Sequence, residues 1–327
     1  MKKFKKNNFP VDAVITWVDG NDFKFLEKKN KYLFEIETKE ANHPSRFNEV
    51  GELNFVVKSI LKYASFVRKI FIVTDNQIPS FLKKKEGWSK KYSDRIEVVD
   101  HKEIFRNFND YLPSFNILSI ECLLYNIKDL SEHFIYFNDD MFLVKPTVVD
   151  DWFRNGLPVI RGQWTTFSNK VWYKKLHRAI FPSKRNKWSF KKAQEESAKI
   201  IGYQNKYFRT FHNPRALVKS NFSDFFESNP KLLSEQVRHK FRSNSQFNPY
   251  VLSWHHAIKN NRASLTNNLQ LIEVNFSVND NPKKILRAIK KASKSKNILF
   301  LNIQSLDLVK TNKLGEIISE LDSLFKL

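Results

Sequence analysis

The sequence predicts an α/β protein: a mainly parallel, Rossmann-like (GT-A-like) sheet with helices on both faces and a basic, partly helical insertion. Three observations carry this. Apolar β-branched runs alternate with stretches of helical periodicity. The runs are apolar throughout rather than at alternate positions, as in strands covered on both faces. Several of them stop at an aspartate. A chain of 327 residues with 41% hydrophobic content suffices for one large core carrying an insertion.

The elements follow in order. VDAVITWVDG (11–20) is a strand closed by Asp-Gly, a turn signal. ELNFVVKSILKYASFV (52–67) places Leu53, Val56, Val57, Ile60, Leu61 and Ala64 on one helical face. RKIFIVTDNQIP (68–79) and RIEVVDH (95–101) are further strands, SFNILSIECLLYNIKDL (114–130) is a helix, and EHFIYFNDD ends the next strand on paired carboxylates. From Arg161 through Lys192 there is no acidic residue, and Trp164, Trp172 and Trp188 lie among Lys and Arg. This stretch reads as a lid rather than as sheet. LQLIEVNF and ILFLNI return as strands. KKILRAIKKA, with Asn281-Pro282 at its start, and KLGEIISELDSLFKL are helices. The expected division is an α/β core over 1–160, a basic aromatic-rich insertion or lid over 161–206 and a second half over 207–327 that carries the His/Arg motifs.

Composition narrows the function. A formal charge of +22 points to an anionic partner. The single cysteine, Cys122, rules out an internal disulfide and reads as a small core residue. The start, MKKFKKNNFP, lacks the apolar stretch of a secretory signal, and no apolar run reaches the ~20 residues of a membrane span. A cytoplasmic protein is expected, with contact at the inner face of the plasma membrane open to it through its charge. No Gly-rich dinucleotide loop, Walker lysine loop or serine-hydrolase elbow occurs.

What remains is a rim of carboxylates. In parallel sheets ligands bind beyond the carboxyl ends of the strands, and Asp19, Asp75, Asp100 and Asp139-Asp140 all follow apolar strands there. Successive strand residues face opposite ways, so Asn138 and Asp140 can share a ligand, whereas Asp139 and Asp140 share one only if the chain turns. A divalent cation on a diphosphate suits one carboxylate, with the other orienting water or a hydroxyl. Farther on, YFRTFHNPRALVKS (207–220) sets Arg209, Arg215 and Lys219 around His212, cations beside an imidazole that suit a phosphoryl group. His239 and Arg242, three apart, would share a face of a helix. His255 and His256, in an aromatic context, read as structural.

TWVDG (16–20), ELNFVVKSI with VRKIFIVTDNQIP (52–79), VDHKEIF (99–105), LPSFN (112–116) and SEHFIYFNDDMFL (131–143) resemble the Stealth family. Its members are bacterial capsular polysaccharide phosphotransferases, and the animal N-acetylglucosamine-1-phosphotransferase is similar. HNP (212–214) and HKFRSNSQF (239–247) resemble that family's later conserved regions. The resemblance implies transfer of a sugar-1-phosphate from a nucleotide-sugar, such as UDP-N-acetylglucosamine, to a hydroxyl of an anionic glycan, with UMP released. It implies donor binding by Trp17, Asp19, Asp75, Asn76, Gln77 and Asn138, with Lys219 on the donor side. Asp139 and Asp140 would sit at the diphosphate with Mg2+ or Mn2+. His212, His239, Arg209 and Arg242 would handle the transferred phosphate and its proton. Lys58 stands where the family often has Arg, and SNSQ (243–246) lacks an acid sometimes found there. The competing reading is a metal-dependent glycosyltransferase that releases UDP. Nucleic acid is not an expected partner, because the rim carboxylates repel phosphate backbones.

Overall fold

The structure is a computed structural model that describes residues 9–36, 43, 46–84, 87–172, 180 and 189–327. Four strands, β1 (Val11–Thr16), β2 (Val67–Thr74), β3 (Ile96–Asp100) and β4 (His133–Asn138), run parallel in the order β3-β2-β1-β4. An antiparallel edge strand joins β4; with the strand numbers that follow, it is β9 (Arg215–Val218). The side chains obey the period of two. Ala13, Ile15, Ile70, Ile72, Ile135 and Phe137 enter one core, and Val14, Phe71, Val73, Phe134 and Tyr136 the other. The helix expected over 52–67 runs from Glu52 to Tyr63, and it covers the first face. Helices Lys219–Ser228 and Pro249–Lys259 cover the second.

Register brings the strand ends together. Thr16 lies opposite both Val73 and Asn138, and Thr74 opposite Asp100. Two smaller sheets complete the fold. One contains β5 (Met141–Leu143), β11 (Leu271–Asn275) and β12 (Phe300–Gln304). The other is built on the long strand β7 (Leu157–Thr166), paired with β6 (Phe153–Arg154), β8 (Lys206–Thr210) and β10 (Ser264–Thr266).

Three expectations need correcting. The basic stretch from Arg161 begins as sheet: β7 crosses the expected boundary at 160/161, because β8 pairs with it from Gly162 to Thr166. Residues 173–179 and 181–188, part of the expected lid, lie outside the described residues. The helix expected over 114–130 is short, Ile117–Glu121, and passes into a 3-10 turn at Leu124–Asn126. Leu118, Ile120, Cys122, Leu123 and Leu124 are all buried, so burial on every side replaces the single apolar stripe a longer helix would need. His239 to Arg242 follow the Pro230–Val237 helix as irregular chain and share no helical face.

Candidate active site

The rim is built by three turns. After β1, Trp17 leads into Asp19-Gly20. Gly20 donates its N–H to the Phe47 carbonyl at 2.8 Å, and a Cβ there would meet that oxygen at 2.3 Å. Glycine is required by this close approach. After β2, Gln77 turns back: its Oε1 accepts the Asp19 N–H and its Nε2 donates to the Asp19 carbonyl, both at 2.9 Å. Gln77 therefore ties two strand ends to each other. Asn76 takes the positive φ of 54° that the turn demands, and Asp75 accepts from Lys28 at 2.7 Å. After β4 the chain does turn, and β5 starts at Met141. The Asp140 carbonyl is held by the N–H of Ile303 and by Asn302 Nδ2.

That turn divides the carboxylate pair. Asn138 and Asp140 face a large open cleft, whereas Asn138 and Asp139 face a smaller pocket. The two spaces share Arg46, Ile117, Asn138 and Arg242. The smaller is walled by Trp17, Phe25, Phe47 and Phe115, with Asp75 and His101 inside. Burial, opposed by nearby Asp75 and Asp100, pulls His101 down to about 4. It is a neutral imidazole at pH 7.

In the large cleft His212 Nε2 lies 3.1 Å from Asp140 Oδ2. A carboxylate only accepts, so Nε2 carries the proton. Arg215 Nη2 lies 3.5 Å from His212 Nδ1 and only donates, so the Nδ1 lone pair accepts this long contact. Arg215 also donates from Nη1 to Asn138 Oδ1 at 2.6 Å. Its guanidinium lies over the Tyr250 ring at 4.1 Å and the Tyr136 ring at 5.0 Å, contacts that stabilise a desolvated cation. Tyr136 donates to Glu121 Oε1 at 3.0 Å.

Electrostatics separate the residues further. Burial alone would raise Asp140, but the adjacent His212, Asn302 and Arg215 bring it below the usual carboxylate range. Burial, reinforced by Asp140, Glu52 and Glu49, holds Asp139 well above that range. Burial first, and then the neighbouring Arg46, lowers Arg242 to about 9. Crowded carboxylates on one side and crowded guanidiniums on the other each gain from a ligand of opposite charge. A divalent cation fits the Asp139 side. Among the described residues no three His, Cys, Asp or Glu side chains converge as a metal cage, so magnesium there would take its other ligands from phosphates and water.

Trp17, Asp75, Asn138, Asp139, Asp140, His212 and Arg242 thus meet around the two connected spaces. Other expected residues stand elsewhere. Lys219 donates its N–H to the Glu132 carbonyl, at the end of β4 opposite Asn138, because β9 runs antiparallel. Arg209 lies on β8 opposite Gln163 with its guanidinium over Phe211, and lines neither space. His239 supports the site through its carbonyl, which accepts from Asn116 Nδ2 and Ser119 Oγ at 3.0 Å; its ring lines neither space. Asp19 and Gln77 shape the turn. Lys58 pairs with Asp322 at 2.8 Å and lines neither space. His255 is structural as expected, bonded to Val251 O and Phe208 N. Sequence reasoning passed over Arg46, Glu49, Glu52 and Glu121 and gave Arg215 no fixed role. The one signal for Arg215 was a charge opening the apolar run Ala216-Leu217-Val218.

The sequence matches a known family. Residues 9–37 match Stealth protein conserved region 1 and residues 46–159 match conserved region 2. The chain belongs to the Stealth family. The receptor polysaccharide phosphotransferase WefC of Streptococcus gordonii is 32% identical over 264 residues, covering 75% of this chain and 77% of that one. The capsular polysaccharide phosphotransferase fcs1 of Haemophilus influenzae is 45% identical over 159 residues, 46% of this chain and 40% of its own length. The match therefore spans less than half of the Haemophilus relative. Among solved structures, the galactosyltransferase LgtC in complex with donor and acceptor sugar analogs aligns at a TM-score of 0.44 and 10% identity, over 97% of each chain.

Proposed function

We propose that this chain transfers a sugar-1-phosphate from a nucleotide-sugar, a UDP-linked N-acetylhexosamine or hexose, to a hydroxyl of a surface glycan, in capsular or related polysaccharide synthesis. One observation carries the reading: the large cleft gathers the His212–Asp140 pair and Arg215 with Arg46 and Arg242, which also border the smaller pocket. The names of the Streptococcus and Haemophilus relatives support it. In this reading the aromatic pocket takes the nucleoside, its diphosphate lies at the junction, and the acceptor enters by the large cleft.

The acceptor hydroxyl oxygen attacks the phosphorus that bears the sugar. The bond from that phosphorus to the bridging oxygen breaks, and UMP leaves with the bridging oxygen. The acceptor hydroxyl takes the place of the long Arg215 contact at His212 Nδ1 and gives that nitrogen its proton, while Asp140 holds the Nε2–H and steadies the ring as it becomes cationic. Arg242 and Arg46 compensate the equatorial oxygens, and Arg215 stays on Asn138. Catalysis of this kind is mostly alignment and charge compensation. A magnesium ion at Asp139 would neutralise the departing phosphate. Among the described residues no helix is long and apolar enough to cross a membrane, and we place the reaction on the cytoplasmic side, with peripheral contact at the inner membrane face.

The decisive measurement is the nucleotide product. Purified protein with a UDP-sugar, magnesium and an acceptor oligosaccharide should release UMP and give a phosphodiester signal in phosphorus NMR. Release of UDP with a glycosidic product would establish glycosyl transfer and overturn this reading.

A further inference from the structure

The helix Lys283–Lys294 buries Ile285, Ala288, Ile289 and Ala292 and exposes every cation it carries. Lys283, Arg287, Lys290 and Lys294 recur at intervals of four, three and four residues, so they form one straight row, about 16 Å long at 1.5 Å per residue. Lys284 and Lys291 flank it. From Pro282 through Asn297 the sequence has no acidic residue. Among the described residues, the one acid joined to these cations is Asp280, which pairs with Lys284 at 3.3 Å. Neighbouring cations of like sign cost stability on a helix surface, and nothing in the packing of this helix requires them.

The row has a direction. Lys284 Nζ donates to the carbonyl of Asn275, the last residue of β11. That strand end borders the large cleft, which Glu273, Gln304 and Ser305 line. The row therefore starts at the rim of the site and runs back along the outer face of the β11-β12-β5 sheet. An anionic polymer with one end in the cleft would lie along it.

We infer that this helix is an acceptor track: the Lys283–Arg287–Lys290–Lys294 row holds a glycan that already carries repeated phosphodiesters, while its end reaches His212. The inference rests on the proposed phosphotransfer and adds where on this fold the anionic acceptor lies. Charge complementarity over this length selects repeated anions at spacings of about 5–6 Å along the row.

The test uses the full chain with Lys290→Glu/Lys294→Glu and a control of equal charge change far from the row, Lys128→Glu/Lys231→Glu, whose lysines are also exposed. Binding of labelled inorganic polyphosphate, followed by anisotropy, should weaken tenfold or more in the first variant and less than twofold in the control. In the transfer assay the KM for a phosphodiester-linked oligomer should rise by a similar factor, with the KM for donor and for a neutral single-site acceptor unchanged. Equal weakening in both variants, or none in either, overturns the track. So does intact polyphosphate binding with loss of binding only to phosphatidylglycerol vesicles, which would make the row a membrane contact. Row-dependent polyphosphate binding without any UMP release would overturn the reaction and leave the polyanion surface standing.

Discussion

His212 is gripped on both ring nitrogens, by a carboxylate that only accepts and by a guanidinium that only donates. This fixes the tautomer and gives the two partners different kinds of importance. His212→Gln removes the proton acceptor, and kcat should fall about 10²–10⁴-fold with the donor KM nearly unchanged. Asp140→Asn should cost a comparable factor, because Asp140 acts through the imidazole. The double variant should then be little worse than His212→Gln alone, as for groups working as a unit. Steady-state kinetics of the three proteins decide this; multiplying losses would mean that Asp140 acts on the substrate independently. At this scale the sequence was informative where a residue type stands at a strand end, as with Asp75 and Asn138-Asp139-Asp140. It was silent on Arg46, whose place at the pocket depends on residues distant in sequence. It misdirected on Lys219 and Arg209, because proximity in sequence to His212 says nothing about which end of an antiparallel strand a side chain occupies.

The helix Glu52–Tyr63 begins with a buried carboxylate beside the site. Burial, opposed by the N–H of Val50 and reinforced by Glu49 and Asp140, raises Glu52 from 4.5 to about 7. The folded state binds this proton more tightly than the unfolded chain. Stability from the group is complete below pH 4.5 and is lost as pH rises through about 7. Glu52→Gln keeps an oxygen for the Val50 N–H and removes the charge. At pH 8, in chelator, the variant should be more stable than the parent by up to about 3 kcal/mol, with the two converging near pH 5. Urea unfolding across that range measures it, and parallel pH profiles would refute the assignment. Alternating periodicities made the long elements legible, the Lys283–Lys294 and Thr311–Phe325 helices included. The 114–130 stretch was not, since an apolar run buried on every side carries no period.

Across the whole molecule the sheet is anchored at the end remote from catalysis. Asp12, fully buried near the start of β1, accepts from Arg68 Nε at 3.0 Å and Nη2 at 2.8 Å, and from the N–H groups of Lys69 at 3.1 Å and Ser131 at 2.7 Å. Burial alone would raise Asp12, but Arg68 and Ser131 outweigh it and hold it low. Its contribution is therefore present above the ordinary carboxylate range and disappears as pH falls below it. Asp12→Ala strands the two buried N–H groups and should cost about 2–4 kcal/mol. Thermal and urea unfolding would show the loss, while kcat of the remaining folded enzyme stays at the parent value. A fall in kcat at full folding would mean that the two ends of the sheet are coupled. The α/β class was readable because central strands announce themselves by unbroken apolar runs. The boundary at 160/161 was misplaced because basic residues on β7 disguise a strand as a loop. Finally, Arg215 reaches Asn138 across 77 residues of chain, yet Tyr136 and Arg215 are paired positions of one backbone ladder. The spacing of guanidinium and imidazole from the carboxylate turn is thus inherited from the weave of two strands. Whatever is spliced into the chain between them can lengthen, shorten or change its cargo without retuning the chemistry.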